Sequence, residues 1–437
     1  MGVKDTANLA MIPAAYAEDK VYSVLPSDGD GDFTFTRSGN GTRINKGGLI
    51  ETLGSNVPRL NYRLDDDGNP SDCPELLIEP TRLNKIINSG DLSAASFSKN
   101  GATATANQAI APDGTLTAAK IVSTSTSQAR VEESVTTFGT IAIASLFVKL
   151  VPNGGQRFVS LSQFGASGSP TAIFDLKTGG ITGTSNVSDY GIQKYPNDWW
   201  RIFIKYSCSS GDSTHIIKLV LTENPTSFST TTIGGEIYAW GFQLTDGAYG
   251  GYLTSYIPTD ASTATRNADT CDLTFSDLAS DYPITAYCKL RVVATNSSQH
   301  IFSIRENSTR YLTFTTYGTS DVRINRRDSG ADDSDIINFD NFTGSVMKVA
   351  IRFKSNTSYD LYINGIEVSD QPSGTDIDYT FSKVLLGTLR VASDNNYRNP
   401  VDEFFIWNKN LTDAEMVEVT SYDSFREMAK QQTFKIK

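Results

Sequence analysis

Apolar and polar residues alternate with a period of two along most of this chain, a pattern that predicts strands. The stretch 234–270, GGEIYAWGFQLTDGAYGGYLTSYIPTDASTATRNADT, shows it most fully. Tyr238, Trp240, Phe242 and Leu244 fall on one face of a strand, and Ile237, Ala239, Gly241 and Gln243 on the other. Asp246-Gly247 breaks the strand, Gly250-Gly251 loosens the chain, and Pro258 ends the aromatic run. The stretch reads as the last strand of one β domain and the lead-in to a second.

The same reading divides the remainder. Residues 1–84 hold short strands around glycine-rich turns, with no third layer to cover them, and read as an extended arm that is marginal alone. Residues 85–268 read as a first sandwich. Within it Trp200, Ile202, Ile204 and Tyr206 share one face, and Trp199, Arg201, Phe203 and Lys205 the other. Residues 269–411 read as a second sandwich, with Asn364-Gly365 suited to a type I′ hairpin turn. In 412–437, Thr412 and Glu415 form a capping box, and Met416, Val419, Tyr422, Phe425 and Met428 make an apolar stripe. That pattern predicts a helix over 412–430, packed on the second sandwich or on a partner subunit. The fold class is all-β: two antiparallel β-sandwiches of jelly-roll type, preceded by an extended N-terminal arm and followed by one C-terminal helix.

Composition narrows the function. A chain of 437 residues suits two or three domains. Lys+Arg 38 against Asp+Glu 49 gives a net charge of −11, poorly suited to gripping nucleic acid. No run approaches the ~20 apolar residues of a membrane span, so no membrane insertion is expected. MGVKDT fits a myristoylation pattern and NLAMIPAAYAED a short signal peptide, but Asp5 and Pro13 interrupt them and both read as chance. Cys73, Cys208, Cys271 and Cys288 lack metal-ligand spacing and read as buried thiols of a protein made in a reducing cytoplasm. His215 and His300 have no catalytic companions. Asp28, Asp30 and Asp32 mimic a calcium loop, but its twelfth position is Gly39, and a polar hairpin turn is the better reading. Neither a metal nor a cofactor is expected.

Three segments carry a family resemblance: IYAWGFQLTDGAYGGYLTSYIPTDASTATRNAD, FTFTRSGNGTRINKGGLIETLGSNVPRLNY and ELLIEPTRLNKI. They resemble segments that recur in virion structural proteins of tailed bacteriophages. In those proteins the first closes a carbohydrate-binding-module-like sandwich and leads to a concanavalin A-like (laminin G-like) lectin domain. The block 347–416, with VDEFFIWNKNLTDAEM near its end, is similar to that domain in its order. The resemblance implies a fibre, spike or decoration on the head or tail of a virion, made in the bacterial host cytoplasm. It also implies homo-oligomerisation, with a trimer the usual arrangement, attachment to other virion proteins (capsid or tail), and lectin-like domains for host-surface carbohydrate.

Catalysis is weighed against binding. A retaining glycosidase needs two carboxylates about 5 Å apart. No Glu-x-Asp-x-Glu pattern occurs, Glu75 and Glu79 have a suitable spacing but lie in the arm, and Asp332, Asp333 and Asp335 read as a solvated loop. No Gly-x-Ser-x-Gly elbow, Walker loop or HExxH is present. A non-enzymatic protein is therefore expected, with a polysaccharide depolymerase and a purely architectural subunit as rivals. Sugar binding calls for aromatic rings beside amides and carboxylates. Tyr195, Trp199, Tyr249 and Tyr252 are the candidates, Trp199 serving equally well as core; Trp200, Trp240 and Trp407 read as core. Arg323, Arg326 and Arg327 read as a solvated edge strand. Leu9, Met11, Ile12, Tyr16, Tyr22, Phe33, Phe35, Leu49 and Ile50 read as assembly residues through which the arm is held by other subunits or a virion partner.

Overall fold

The computed structural model describes residues 2–13, 23–24, 33–136, 139–165, 168–208, 214–226, 232–246, 251–274, 283–291, 295–318, 321–328, 331–338, 346–355, 358–369, 379–387 and 400–421. Tyr16, Tyr22, Tyr249 and the aspartates Asp28, Asp30 and Asp32 lie outside these residues.

The regular structure of the described residues is almost entirely antiparallel strand. The first sandwich pairs two six-stranded sheets. One runs in the order Ala102–Ile110, Leu116–Ser123, Glu236–Asp246, Ile141–Leu150, Trp199–Ser207, Asp189–Tyr195. The other runs Gly180–Ser185, Thr171–Asp175, Phe158–Phe164, Thr214–Thr222, Ala129–Thr136, Ser98–Asn100. Between them lies an aliphatic core that includes Leu146, Leu161, Ile204, Leu219 and Phe242. Burying each such side chain is worth about 1.5–3 kcal/mol.

Glu236–Asp246 departs from the simple alternation. Ile237 and Ala239 face the sandwich core, and so do Phe242 and Leu244, while Trp240 turns to the outer side. The cause is a bulge. Ser145 pairs with Gln243 and Phe147 with Trp240, so one residue faces two. Gly241 takes φ +68° there, and a Cβ on it would sit 2.7 Å from Phe147 Cδ2. Only glycine fits that corner.

The second sandwich is built partly by the N-terminal arm. Its larger sheet runs Ser23–Val24, Leu9–Met11, Val401–Trp407, Ile284–Arg291, Val346–Ser355, Ser358–Ile363, Ile366–Ser369, with Glu75–Leu77 and Arg59–Asn61 joining beside Val401. Its smaller sheet runs Ala331–Asn338, Asp321–Asp328, Arg310–Gly318, Thr295–Arg305, Lys383–Leu386, Thr270–Thr274, Thr34–Thr36. Leu9, Met11, Phe33, Phe35, Leu60 and Leu76 are buried in one core with Phe302, Phe314, Ile351 and Phe404. This corrects the assembly reading: Leu9, Met11, Phe33 and Phe35 complete the chain's own sandwich and are not held in reserve for another subunit. Ile50 is likewise buried against the first sandwich, while Ile12 stays 45% exposed.

Asn364 and Gly365 take φ 49° and 81°, the hairpin turn expected. Asp321–Asp328 is paired on both sides and is no edge strand. Asp332, Asp333 and Asp335, expected in a loop, belong to the neighbouring strand, where Asp332 and Asp333 stand opposite Arg327 and Arg326.

The C-terminal helix ends before the expected stripe does, and Tyr422, Phe425 and Met428 of that stripe lie outside the described residues. It spans Asp413–Thr420, with the Thr412–Glu415 capping box in place, and Ser421 already has an extended conformation. Met416 and Val419 pack with Val3, Phe405, Trp407 and Leu411 on the outer face of the larger sheet. Among the described residues no helix is long and apolar enough to cross a membrane.

Candidate functional site

Where arm, first sandwich and second sandwich meet, the chain buries a cluster of charges. Arg37 follows the strand Thr34–Thr36, Arg59 begins Arg59–Asn61, Glu79 follows Glu75–Leu77, and Arg266 and Asp269 flank the entry to the second sandwich. Arg59 Nη1 donates to Glu79 Oε2 at 2.6 Å, and its Nη2 donates to Asp269. Arg37 Nη1 donates to Asp269 Oδ1 at 3.1 Å, and Arg266 Nη1 lies 2.9 Å from Glu79 Oε2. Ser255 donates to Glu79 from both its backbone N (2.9 Å) and its Oγ (2.6 Å). Glu79 N donates to Asp269 Oδ2 at 2.8 Å, and Asp269 N donates to the Glu79 carbonyl at 3.0 Å.

Burial alone would raise the Glu79 carboxyl, but Arg266, Arg59 and Ser255 outweigh it and hold Glu79 well below the usual carboxylate range. The cluster stays ionised and pins three parts of the fold to one another.

Against this clamp lies a cleft of about 280 Å³. The arm supplies Arg43, Asn61, Arg63, Glu75 and Glu79; the first sandwich supplies Gln193, Tyr195 and Arg201. Residues Tyr252 to Tyr256 of the connector and Arg291 of the second sandwich complete it. Across the strand Gly41–Ile44, and sharing Thr42 and Tyr256, a second cavity of about 320 Å³ is lined mainly by short side chains.

Of the four aromatic candidates, the structure brings two to the cleft. Tyr195 lines it, with its ring edge-on to Phe147 at 4.9 Å, and Tyr252 lines it beneath Arg82, 5.2 Å from the ring centroid. Trp199 does not belong. It is wholly buried, packs with Trp240, Phe147 and Tyr256, and donates from Nε1 to the Ile110 carbonyl at 3.0 Å. Trp240 and Trp407 are core as expected, whereas Trp200 is only half-buried and donates to the Leu176 carbonyl at 2.9 Å.

Sequence reasoning placed Glu75 and Glu79 outside any site, yet both line this cleft. Burial first, and then Asp402, push Glu75 up to about 7. Asn61 Nδ2 donates to it at 3.3 Å. The ELLIE spacing was the available signal for this pair. Arg63, Asn61 and Gln193 had none, because only the tertiary fold brings them together.

The family comparison bears on the second sandwich. The family model for the concanavalin A-like lectin/glucanases superfamily matches residues 261–416. This segment is similar to a concanavalin A-like lectin/glucanase domain. No curated protein matches the chain. Among solved structures, Ruminococcus gnavus IT-sialidase CBM40 bound to alpha2,3 sialyllactose is similar at 17% identity and TM-score 0.29, covering 33% of this chain and 85% of that one. The receptor binding domain of botulinum neurotoxin C/D mosaic serotype is similar at 14% identity and TM-score 0.29, covering 35% and 40%. A leech intramolecular trans-sialidase complex is similar at 15% identity and TM-score 0.28, covering 34% and 24%. Likeness at this level carries no argument.

Proposed function

We propose that this chain is a non-enzymatic structural protein of a tailed-phage particle that binds host-surface carbohydrate. The observation that carries glycan binding is the junction cleft: two tyrosine rings, Tyr195 and Tyr252, beside the amides of Asn61 and Gln193, in a volume that suits one or two sugar rings. The clamp fixes its walls before any ligand arrives, which lowers the ordering cost of binding. The lectin-type domain at 261–416 agrees with this reading. The virion role rests on the three family-like segments, and with it go the homotrimer and the attachment to capsid or tail proteins.

A depolymerase is the second reading, because Glu75 and Glu79 share the cleft. Glu79 argues against it. Both its oxygens already accept hydrogen bonds from Ser255, and Arg59 and Arg266 hold Oε2, which spreads its charge over four donors and weakens it as a nucleophile. Full-length protein on a glycan array, followed by incubation with any glycan bound, tests both readings. Retention without release of reducing ends is expected. An empty array removes the glycan role, and turnover establishes the enzyme. Sedimentation should give three times the 47.5 kDa chain mass, and a monomer at micromolar concentration removes the trimer.

A further inference from the structure

We propose that the junction cleft selects saccharides bearing a carboxylate, with Arg63 and Arg201 as the residues that recognise it; this rests on the cleft being the glycan site. The lining holds four arginines, Arg43, Arg63, Arg201 and Arg291, against two glutamates, in a chain whose net charge is −11. Those charges are not equivalent. Glu79 is neutralised by Arg59 and Arg266, and Arg43 Nε is held by Glu51 at 2.8 Å. Arg63 is half-buried and makes no side-chain hydrogen bond or ion pair among the described residues.

Arg201 is the second, independent observation. It is 4% exposed, its Cζ lies 5.2 Å from the centre of the Phe147 ring, and its Nη2 donates to Ser145 Oγ at 3.2 Å. Its Nε has no hydrogen-bond partner among the described residues. Nε itself is sealed from solvent, so what Arg201 offers an anion in the cleft is the charge of its guanidinium. The strand Trp199–Ser207 puts Arg201 on the same face as Trp199, and so into this wall.

The remaining carboxylate, Glu75, is raised to about 7 by burial first and then by Asp402, so near neutrality it opposes an incoming anion less than an ordinary carboxylate would. Arg63 and Glu75 also line an adjoining cavity with Asp72, Lys289, Asp402 and Glu403. Glu403 is occupied there by Lys4 at 2.6 Å.

The test is calorimetric titration of the full chain with a uronate-containing oligosaccharide and with the same oligosaccharide after carboxyl reduction. Binding of the acid form about tenfold or more tighter is expected, since charge-assisted bonds to arginine are worth that much. Arg63→Ala should erase the preference, weakening the acid form about tenfold more than the reduced form, and Arg63→Lys should restore part of it. Gln193→Ala should weaken both forms. Equal affinity for the two forms, or an Arg63→Ala protein that keeps the preference, overturns the inference and leaves the glycan site standing. Failure of both forms to bind overturns the inference and the glycan site together.

Discussion

Arg59 and Glu79 meet at 2.6 Å with almost no solvent reaching either side chain. The pair joins a residue of the arm to the turn that leads into the first sandwich, and Asp269 extends it to the start of the second. Removing one partner leaves the other charge buried, which costs about 3–5 kcal/mol. Glu79→Gln should therefore lower the stability of both sandwiches together in urea denaturation. A variant as stable as the parent would show that the clamp is not what joins them.

Truncation at Asn84 gives a second outcome, opposite to the one the sequence suggested. The shortened chain lacks the strands Leu9–Met11 and Thr34–Thr36 and the core side chains Leu9, Met11, Phe33, Phe35, Leu60 and Leu76. At about 1.5–3 kcal/mol each, their loss exceeds the net stability of an ordinary domain. The second sandwich should fail to melt cooperatively in calorimetry. A truncated protein that retains a native-like cooperative transition contradicts the placement of the arm.

Stability should also depend on pH through Glu75. Burial first, and then Asp402, raise its folded value to about 7 from an ordinary 4.5. A raised carboxyl contributes stability fully below the unfolded value, and that contribution is lost as pH rises through the folded value. The window runs from about pH 4.5 to about pH 7 and the loss is on the order of 3 kcal/mol. Glu133, raised to about 7 by burial, adds in the same direction. Glu79 acts oppositely: its contribution is present above the ordinary carboxylate value and fades only in strong acid. Glu75→Gln should flatten the decline between pH 5 and 8 in urea midpoints. An unchanged pH profile in the variant would count against this assignment.

Gly241→Ala should destabilise the first sandwich by about 1–3 kcal/mol, because φ +68° and the 2.7 Å approach to Phe147 leave no room for a methyl group. Thermal melts of the variant measure it. A change under about 0.5 kcal/mol would mean the bulge relaxes freely.

That glycine shows where sequence legibility ends. Alternation located Glu236–Asp246 as a strand, and the isolated glycine was the mark of a bulge, but alternation alone carried Trp240 and Phe242 to the same face. The hairpin at Asn364-Gly365 and the cap at Thr412 were legible because their physics is local. The arm was misread for the opposite reason. Leu9–Met11 pairs with Val401–Trp407 across nearly the whole chain, a register no local pattern encodes. The cleft shares that difficulty: Tyr195 and Tyr252 were visible as aromatic candidates, while Arg63, Arg201 and Gln193 acquire meaning only as neighbours.

Hydrogen–deuterium exchange of the full chain, with and without its best array glycan, locates binding most directly. Protection is expected at 59–64, 189–201 and 252–256, the segments that wall the junction cleft. Protection confined to the lectin-type domain, for example to the strands Arg310–Gly318 and Asp321–Asp328, would contradict it.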